Sequence, residues 1–194
     1  MRRFFGLSCI GGSLLLVAAC QTRQPQDEYR PTATIKDLMD SLVDPSGDFL
    51  FDSVATIITA TGTEERAPRT DEEWTNVRRA AIRVIEATNL LVMPRRHVAK
   101  PGEKSENPAV ELGPEEIEAL INKDRTAWTN LAHGLNDAAM LALKAIEARD
   151  VQGLSAAGEK IDAACESCHL RYWYPNQEEQ LKKVLERQPQ DIRR

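Results

Sequence analysis

The sequence contains few cysteines, histidines and aromatic residues. Among 194 residues there are four cysteines and three histidines, and aromatic side chains make up 5%. Acidic residues outnumber basic ones by 30 to 25, which argues against nucleic acid as a partner because that interaction needs clustered positive charge. There is no glycine-rich phosphate loop, no nucleophile beside a credible base and no acid pair placed by spacing. We therefore predict that the protein is not an enzyme.

The longest apolar run covers residues 4–19 and is too short to predict a membrane span. Two arginines precede it, and the sequence LVAAC ends it at Cys20. This pattern resembles the lipobox of bacterial lipoproteins, in which the cysteine is lipidated and becomes the first residue. We predict a lipoprotein signal peptide over 1–19, lipidation of Cys20 and a flexible tether over 20–33. A plain signal peptide cut nearby and an uncleaved anchor are the alternatives.

This signal places the protein on the periplasmic side of a bacterial membrane, held by its lipid anchor. Gln21 follows the lipidated cysteine, and a residue other than aspartate at this position favours the outer membrane in many enteric bacteria. Cys9 leaves with the signal peptide. Apart from Cys20, the cysteines that remain are Cys165 and Cys168.

Beyond residue 33, apolar residues recur with the three- and four-residue spacing of amphipathic helices. No stretch alternates with a period of two, so no strand is predicted. We expect an all-α fold, an antiparallel four-helix bundle over 34–175, with a polar tail over 176–194. The first predicted helix covers 35–42, breaks at DPSG (44–47) and resumes over 49–58. The second runs from Thr70 to Pro94. The third runs unbroken from Gly113 to Ala148, and the fourth covers 151–172.

The segment CESCH on the fourth helix carries two cysteines followed directly by a histidine. On an α-helix, Cys168 lies about 60° behind Cys165 and His169 about 40° ahead of it, so the three side chains share one face. Two thiols at this spacing can bond to the two vinyl groups of a porphyrin while the adjacent imidazole binds the iron. The motif predicts one covalently attached haem c per chain, with His169 as an iron ligand.

Other chemistry for the same motif remains open. Dithiol pairs for disulfide exchange normally lie at a helix N-terminus, where the dipole lowers a thiol pKa, whereas this pair lies towards the C-terminal end. A structural zinc needs four ligands, and outside the motif the chain offers His97, His133 and scattered carboxylates. His133 is predicted to point away from the core. A redox pair, a metal site and coincidence are the alternatives to haem.

The position of the motif limits the sixth iron ligand. The 25 residues after His169 contain no methionine, so a protein ligand on the far side of the iron must come from earlier in the chain. Four helices, an attachment motif on the last and a short remainder resemble the class II cytochromes c, the cytochrome c prime family. The resemblance implies that the first helix places a residue over the haem, and the matching residue is Met39. Met93 and Met140 are weaker candidates.

Two functions follow from this resemblance. In the first, His169 and Met39 hold the iron of a one-electron carrier that exchanges electrons with an unidentified redox partner protein. In the second, Met39 only packs in the core and a five-coordinate haem binds nitric oxide or carbon monoxide. We prefer the carrier. Members of the family often pair through their helices, so the resemblance also allows a homodimer.

The chain departs from the family pattern around the haem propionates. The family often has an arginine four residues after its histidine, where this chain has Trp173, with Arg171 nearer. Tyr172, Trp173 and Tyr174 are expected to pack against the porphyrin edge or to close the bundle. The long loop 94–113 is expected to be solvated, and contact with the propionates or with an acidic partner is the alternative. Its basic residues are Arg95, Arg96, His97, Lys100 and Lys104.

Overall fold

The chain is mostly helical and carries a small two-stranded sheet, so the prediction of a mostly helical fold is confirmed. A computed structural model describes residues 29–177. The predicted signal peptide, the lipidation site Cys20, most of the tether and the tail from residue 178 lie outside the described residues. In chain order the elements are α1 (Ile35–Leu38), a π-helical turn (Met39–Val43), α2 (Asp44–Ser53), β1 (Ala55–Thr59), β2 (Gly62–Arg66), α3 (Asp71–Leu91), α4 (Pro114–Lys123), α5 (Arg125–Ala148) and α6 (Val151–Tyr172).

The predicted break at DPSG is wrong, because the helix that begins at Ile35 continues through this segment. A proline inside an α-helix lacks the N–H for the backbone bond, and its ring clashes with the carbonyl four residues earlier. Just before Pro45 the helix widens into the π-helical turn, in which the N–H of Asp44 donates to the carbonyl of Met39. The wider turn allows the helix to pass through the proline without a break.

The π-helical turn shifts the buried face of this helix by one residue. Upstream of the turn, Ile35 and Leu38 are buried. Continued α-helical spacing from Leu38 would bring Phe49 to the core, but its side chain is 46% exposed. The residues buried downstream are instead Val43, Ser46, Gly47 and Leu50. Both halves of the helix therefore face the core, and Met39 lies where they meet.

The predicted helix over 49–58 is also wrong, because α2 ends at Ser53 and an antiparallel hairpin follows. Strands β1 and β2 pair from Ala55 opposite Arg66 to Thr59 opposite Gly62. Strand β1 is rich in β-branched residues, which favour an extended backbone. Gly62 has φ +148°, a conformation that favours glycine at the end of the tight turn. The hairpin is mostly exposed, so it lacks the apolar alternation that would have predicted it.

Helix α3 confirms its predicted start and inner face. The side chain of Thr70 accepts a hydrogen bond from the N–H of Glu73, and the Glu73 carboxylate accepts one from the N–H of Thr70 at 2.8 Å. This capping box satisfies N–H groups that the first turn of a helix leaves unpaired. The predicted apolar stripe is buried along its length: Trp74, Val77, Ala81, Val84, Thr88 and Leu91.

The predicted third helix is not continuous, because it breaks at Asp124 into α4 and α5. The Asp124 carboxylate accepts a hydrogen bond from the N–H of Ala127 at 2.9 Å and so caps the start of α5. It also accepts a bond from Arg171 of α6 at 3.1 Å. Asp124 is the one polar residue on the apolar face that the sequence predicts for this helix, and as the N-cap residue it begins α5.

Two apolar clusters form the interior, and the CESCH motif lies where they meet. The first joins α2, α3, α5 and α6. The second joins α1, the end of α3, the loop 94–113, α4, the start of α5 and the end of α6. Cys165 packs against the first cluster, Cys168 against the second, and Met39 against both. Within residues 29–177, no helix is long and apolar enough to cross a membrane.

The sequence predicts a solvated loop over 94–113, but part of this loop packs against the helices. Arg96 is buried, and its guanidinium donates to the carbonyl of Leu90 at 2.9 Å, to the carbonyl of Ala33 and to the sulfur of Met93. The carbonyls of His97 and Val98 accept the first N–H groups of α1 at 2.9 Å. The loop therefore fixes the start of the helix that carries Met39.

Replacing Arg96 by alanine should destabilise the fold by about 2–3 kcal/mol, because it removes the guanidinium donor to the carbonyl of Ala33 and one of several donors to the carbonyl of Leu90. The free energy of unfolding in urea measures this loss. Arg83→Ala is the matched control, since Arg83 is exposed on α3, and no measurable change is expected. Equal stability of the two variants would contradict a structural role for Arg96.

Candidate functional site

The CESCH motif occupies the last turns of α6, as predicted. The carbonyl of His169 accepts the N–H groups of Trp173 at 2.8 Å and of Tyr174 at 3.0 Å, and these bonds end the helix. Cys165, Cys168 and His169 are half-buried, whereas the two residues between the cysteines are exposed. The three motif side chains therefore share the inner face of α6.

All three motif residues line one small apolar cavity of about 20 Å³. Met39 lines the same cavity from the π-helical turn, so the predicted site residues are brought together. The remaining wall is largely aliphatic, with the indole of Trp128 held in place by a hydrogen bond to the carbonyl of Leu91 at 3.0 Å. The walls come from α2, α3, α5 and α6, and include Val43, Leu91, Trp128, Leu131, Ala132 and Leu135.

A second, more polar cavity of about 260 Å³ adjoins the first and opens to solvent. Three residues line both cavities: Met39, Asp44 and His169. The loop 94–113 forms much of the outer wall of this second cavity. The two cavities therefore meet beside the histidine of the motif.

The aromatic residues after the motif divide between the core and the site. Tyr172 is buried in the core with its ring edge-on to Trp128, 5.3 Å between centroids. The rings of Trp173 and Tyr174 lie 5.9 and 5.8 Å from that of His169. The Tyr174 hydroxyl donates to Glu166 at 2.7 Å. Trp173 and Tyr174 therefore both pack close to the imidazole of His169.

The two thiols are free, and their surroundings keep them protonated. Burial raises the pKa of Cys165 to about 11, with a further contribution from the Asp44 and Asp162 carboxylates. Burial, and then Cys165 itself, raise the pKa of Cys168 to about 12. Disulfide exchange proceeds through the thiolate, so this environment argues against a redox-active dithiol.

These raised pKa values predict slow alkylation of the chain made without haem-attachment machinery. At pH 8 the folded chain should react on the order of tenfold to a hundredfold more slowly than the same chain in denaturant, where thiols have a pKa of about 8.5. The smaller thiolate fraction is partly offset because a thiolate of higher pKa is more nucleophilic. The rate should rise about tenfold per pH unit until pH approaches 11. Mass spectrometry of timed samples measures it, and equal rates in the folded and denatured chains would contradict the burial of the thiols.

The other methionines and histidines of the described chain lie elsewhere. Met93 accepts a hydrogen bond from Arg96 at 3.3 Å, and Met140 is 47% exposed. The His97 ring lies 3.0 Å from the Glu118 carboxylate on the surface, and His133 is exposed, as helical geometry predicts. Among the methionines of residues 29–177, Met39 alone lines the apolar cavity.

Sequence reasoning missed Asp44, which lines both cavities beside the motif. Partial burial raises the pKa of this carboxyl, against the opposing effect of His169, and the nearby Asp40 and Asp48 raise it further. No sequence signal could have found Asp44, because it belongs to the segment that we predicted to be a break between helices.

The described part of the chain contains no group of three or more histidine, cysteine, aspartate or glutamate side chains arranged to hold a metal ion. No protein-family model, curated protein or solved structure matches this chain. The function is therefore argued from the geometry of the two cavities and the motif between them.

Proposed function

We propose that the protein is a monohaem c-type cytochrome that carries single electrons. Cys165 and Cys168 would hold haem c through two thioether bonds, with His169 and Met39 as the axial ligands of the iron. The observation that supports this proposal most directly is that Met39, from a different part of the chain, lines the same cavity as the three motif residues.

The residues present suit such a group. Both cysteines are unpaired thiols on the cavity wall, and a thiol that is not held in a disulfide can add across a vinyl group. The walls of the adjoining cavities are apolar beside the cysteines and more polar beside the lysines, which matches an amphipathic porphyrin. The apolar cavity has a volume of only about 20 Å³, so its walls would have to move apart to admit the ring. The sulfur of Met93 already accepts a hydrogen bond from Arg96. Met39 is therefore the methionine that would bind the iron.

The residues of the site are matched to electron transfer. Haem iron supplies the one-electron chemistry. Imidazole and thioether are neutral ligands, and a thioether opposite histidine raises the reduction potential. Trp128, Leu131 and Leu135 exclude water from the cavity, and the packed helices hold His169 and Met39 in place. We propose that the protein transforms no substrate.

We also propose the architecture and the membrane anchor that the sequence predicts. The helices form an antiparallel four-helix bundle in which α1 with α2, α3, α4 with α5, and α6 are the four members. The packing of α5 against α3 and α6, and of α2 against α3, supports this arrangement. The resemblance to class II cytochromes c and the lipobox at Cys20 support a lipid-anchored protein of the periplasm with a protein redox partner.

One observation favours the second candidate, a five-coordinate haem that binds nitric oxide or carbon monoxide. Met39 begins a π-helical turn, and such turns occur often at functional sites where a helix departs from regular bonding. In this candidate Met39 would only pack in the core, where it contacts both apolar clusters, and a gas would take the remaining position on the iron.

The absorption spectrum during a redox titration separates the two candidates. An electron carrier should be low-spin in both oxidation states, show a methionine-to-iron charge-transfer band when ferric, and titrate as a single one-electron step. It should bind carbon monoxide slowly or not at all. A high-spin spectrum with rapid carbon monoxide uptake would favour gas binding and contradict the carrier.

A further inference from the structure

The two cavities beside His169 differ in the side chains that line them. Cys165 and Cys168 line the apolar cavity and not the polar one. Lys36 and Lys104 line the polar cavity and not the apolar one. The lysines and the cysteines therefore line different cavities, which meet at Met39, Asp44 and His169.

Haem c has the same asymmetry. Its thioether bonds form at one edge of the ring, and its two propionates leave from the opposite edge. With the thioether edge held at the cysteines, the propionate edge would face away from them, and the adjoining polar cavity would receive it. A propionate carboxylate in this cavity would be stabilised by a cation within hydrogen-bonding distance.

We propose that Lys104 binds a haem propionate, an inference that rests on the proposed function. The two lysines of the polar cavity differ in their partners. Lys36 is already paired with Glu106 at 2.8 Å, whereas Lys104 forms no ion pair with any described residue. Lys104 is therefore the cation left to receive an incoming carboxylate.

The charge of the polar cavity makes this cation necessary. Acidic residues also line it, so a propionate entering without a cation would be repelled. They are Asp40, Asp44, Glu106 and Glu111. The arginine that the family resemblance implies for the last helix is absent, because Trp173 stands in its place beside His169. In this chain the loop 94–113 supplies the positive charge instead.

The test compares Lys104→Gln with Lys100→Gln in the full-length, haem-loaded protein. Lys100 is a matched control from the same loop, but it pairs with Asp37 at 2.8 Å and does not line the polar cavity. The midpoint potential should fall in Lys104→Gln, because a positive charge near the iron favours the reduced state, and the fall should be larger at low salt. The propionate bending mode in the resonance Raman spectrum should shift as well. Lys100→Gln should leave both unchanged.

Lys104→Arg should retain the potential and the Raman mode of the unchanged protein, because it keeps the charge. Equal potentials and equal Raman modes in Lys104→Gln and Lys100→Gln would overturn the inference. If haem is covalently bound and low-spin but the two variants agree, only the role of Lys104 fails. If no haem is bound to the unchanged protein, the proposed function itself fails.

Discussion

Replacing both Cys165 and Cys168 by serine should abolish covalent haem attachment. Serine hydroxyls do not form thioether bonds with vinyl groups, so acidified acetone should extract all haem from the variant and none from the unchanged protein. Each single variant keeps one thioether bond and should retain haem through it. The haem that stays with the precipitated chain, measured by its absorbance, is the quantity to compare.

Ser167→Ala is the matched control for this experiment. Ser167 lies between the cysteines, is exposed, and donates to the carbonyl of Ala163 at 2.6 Å. It does not line the apolar cavity, so its loss should leave haem attachment unchanged. Haem that stays bound to the double serine variant after acid extraction would contradict attachment at the motif.

Met39→Ala should convert the low-spin haem to a high-spin form. The variant loses the thioether that we place opposite His169, so the methionine charge-transfer band of the ferric protein should disappear completely. Rapid carbon monoxide binding should appear, and the midpoint potential should fall because the thioether no longer raises it. Absorption spectra and a redox titration of the purified variant provide these readouts.

Met140→Ala is the control for the methionine experiment, because its side chain is 47% exposed on α5. This variant should keep the spectrum and potential of the unchanged protein. A Met39→Ala protein that remains low-spin with its charge-transfer band would show that another residue binds the iron. A band that is absent from the unchanged protein would favour the gas-binding alternative.

The final helix and its motif were predictable because local spacing alone decides them. Helical geometry places Cys165, Cys168 and His169 on one face wherever the helix packs, and the apolar stripe of α6 selects that face for the interior. The start of α3 was predictable for the same reason, since Thr70 and Glu73 satisfy each other's backbone within a single turn.

The errors arose where backbone geometry depends on more than local spacing. Pro45 predicted a break, but the π-helical turn carries the helix through it. The hairpin of β1 and β2 has no buried face along most of its length and hence no alternating pattern. Asp124 fits the apolar seam of one long helix by spacing, yet its capping bond to Ala127 begins a new helix.

The site itself was only partly predictable. Met39 was found through a family resemblance, whereas its placement in the cavity depends on the one-residue shift of the buried face and on the anchoring of α1 by the loop. The polar cavity joins side chains from α1, the loop and α6 that are far apart in sequence. Local sequence patterns do not predict which distant residues come together to line a cavity.

The most direct test of this account is a pyridine haemochrome assay on protein made with haem-attachment machinery, combined with the intact mass of the chain. The account predicts one haem per chain, a haemochrome spectrum typical of two thioether bonds, and a mass increased by one haem. Colourless protein of unmodified mass, in which Cys165 and Cys168 still react with an alkylating reagent after denaturation, would contradict it.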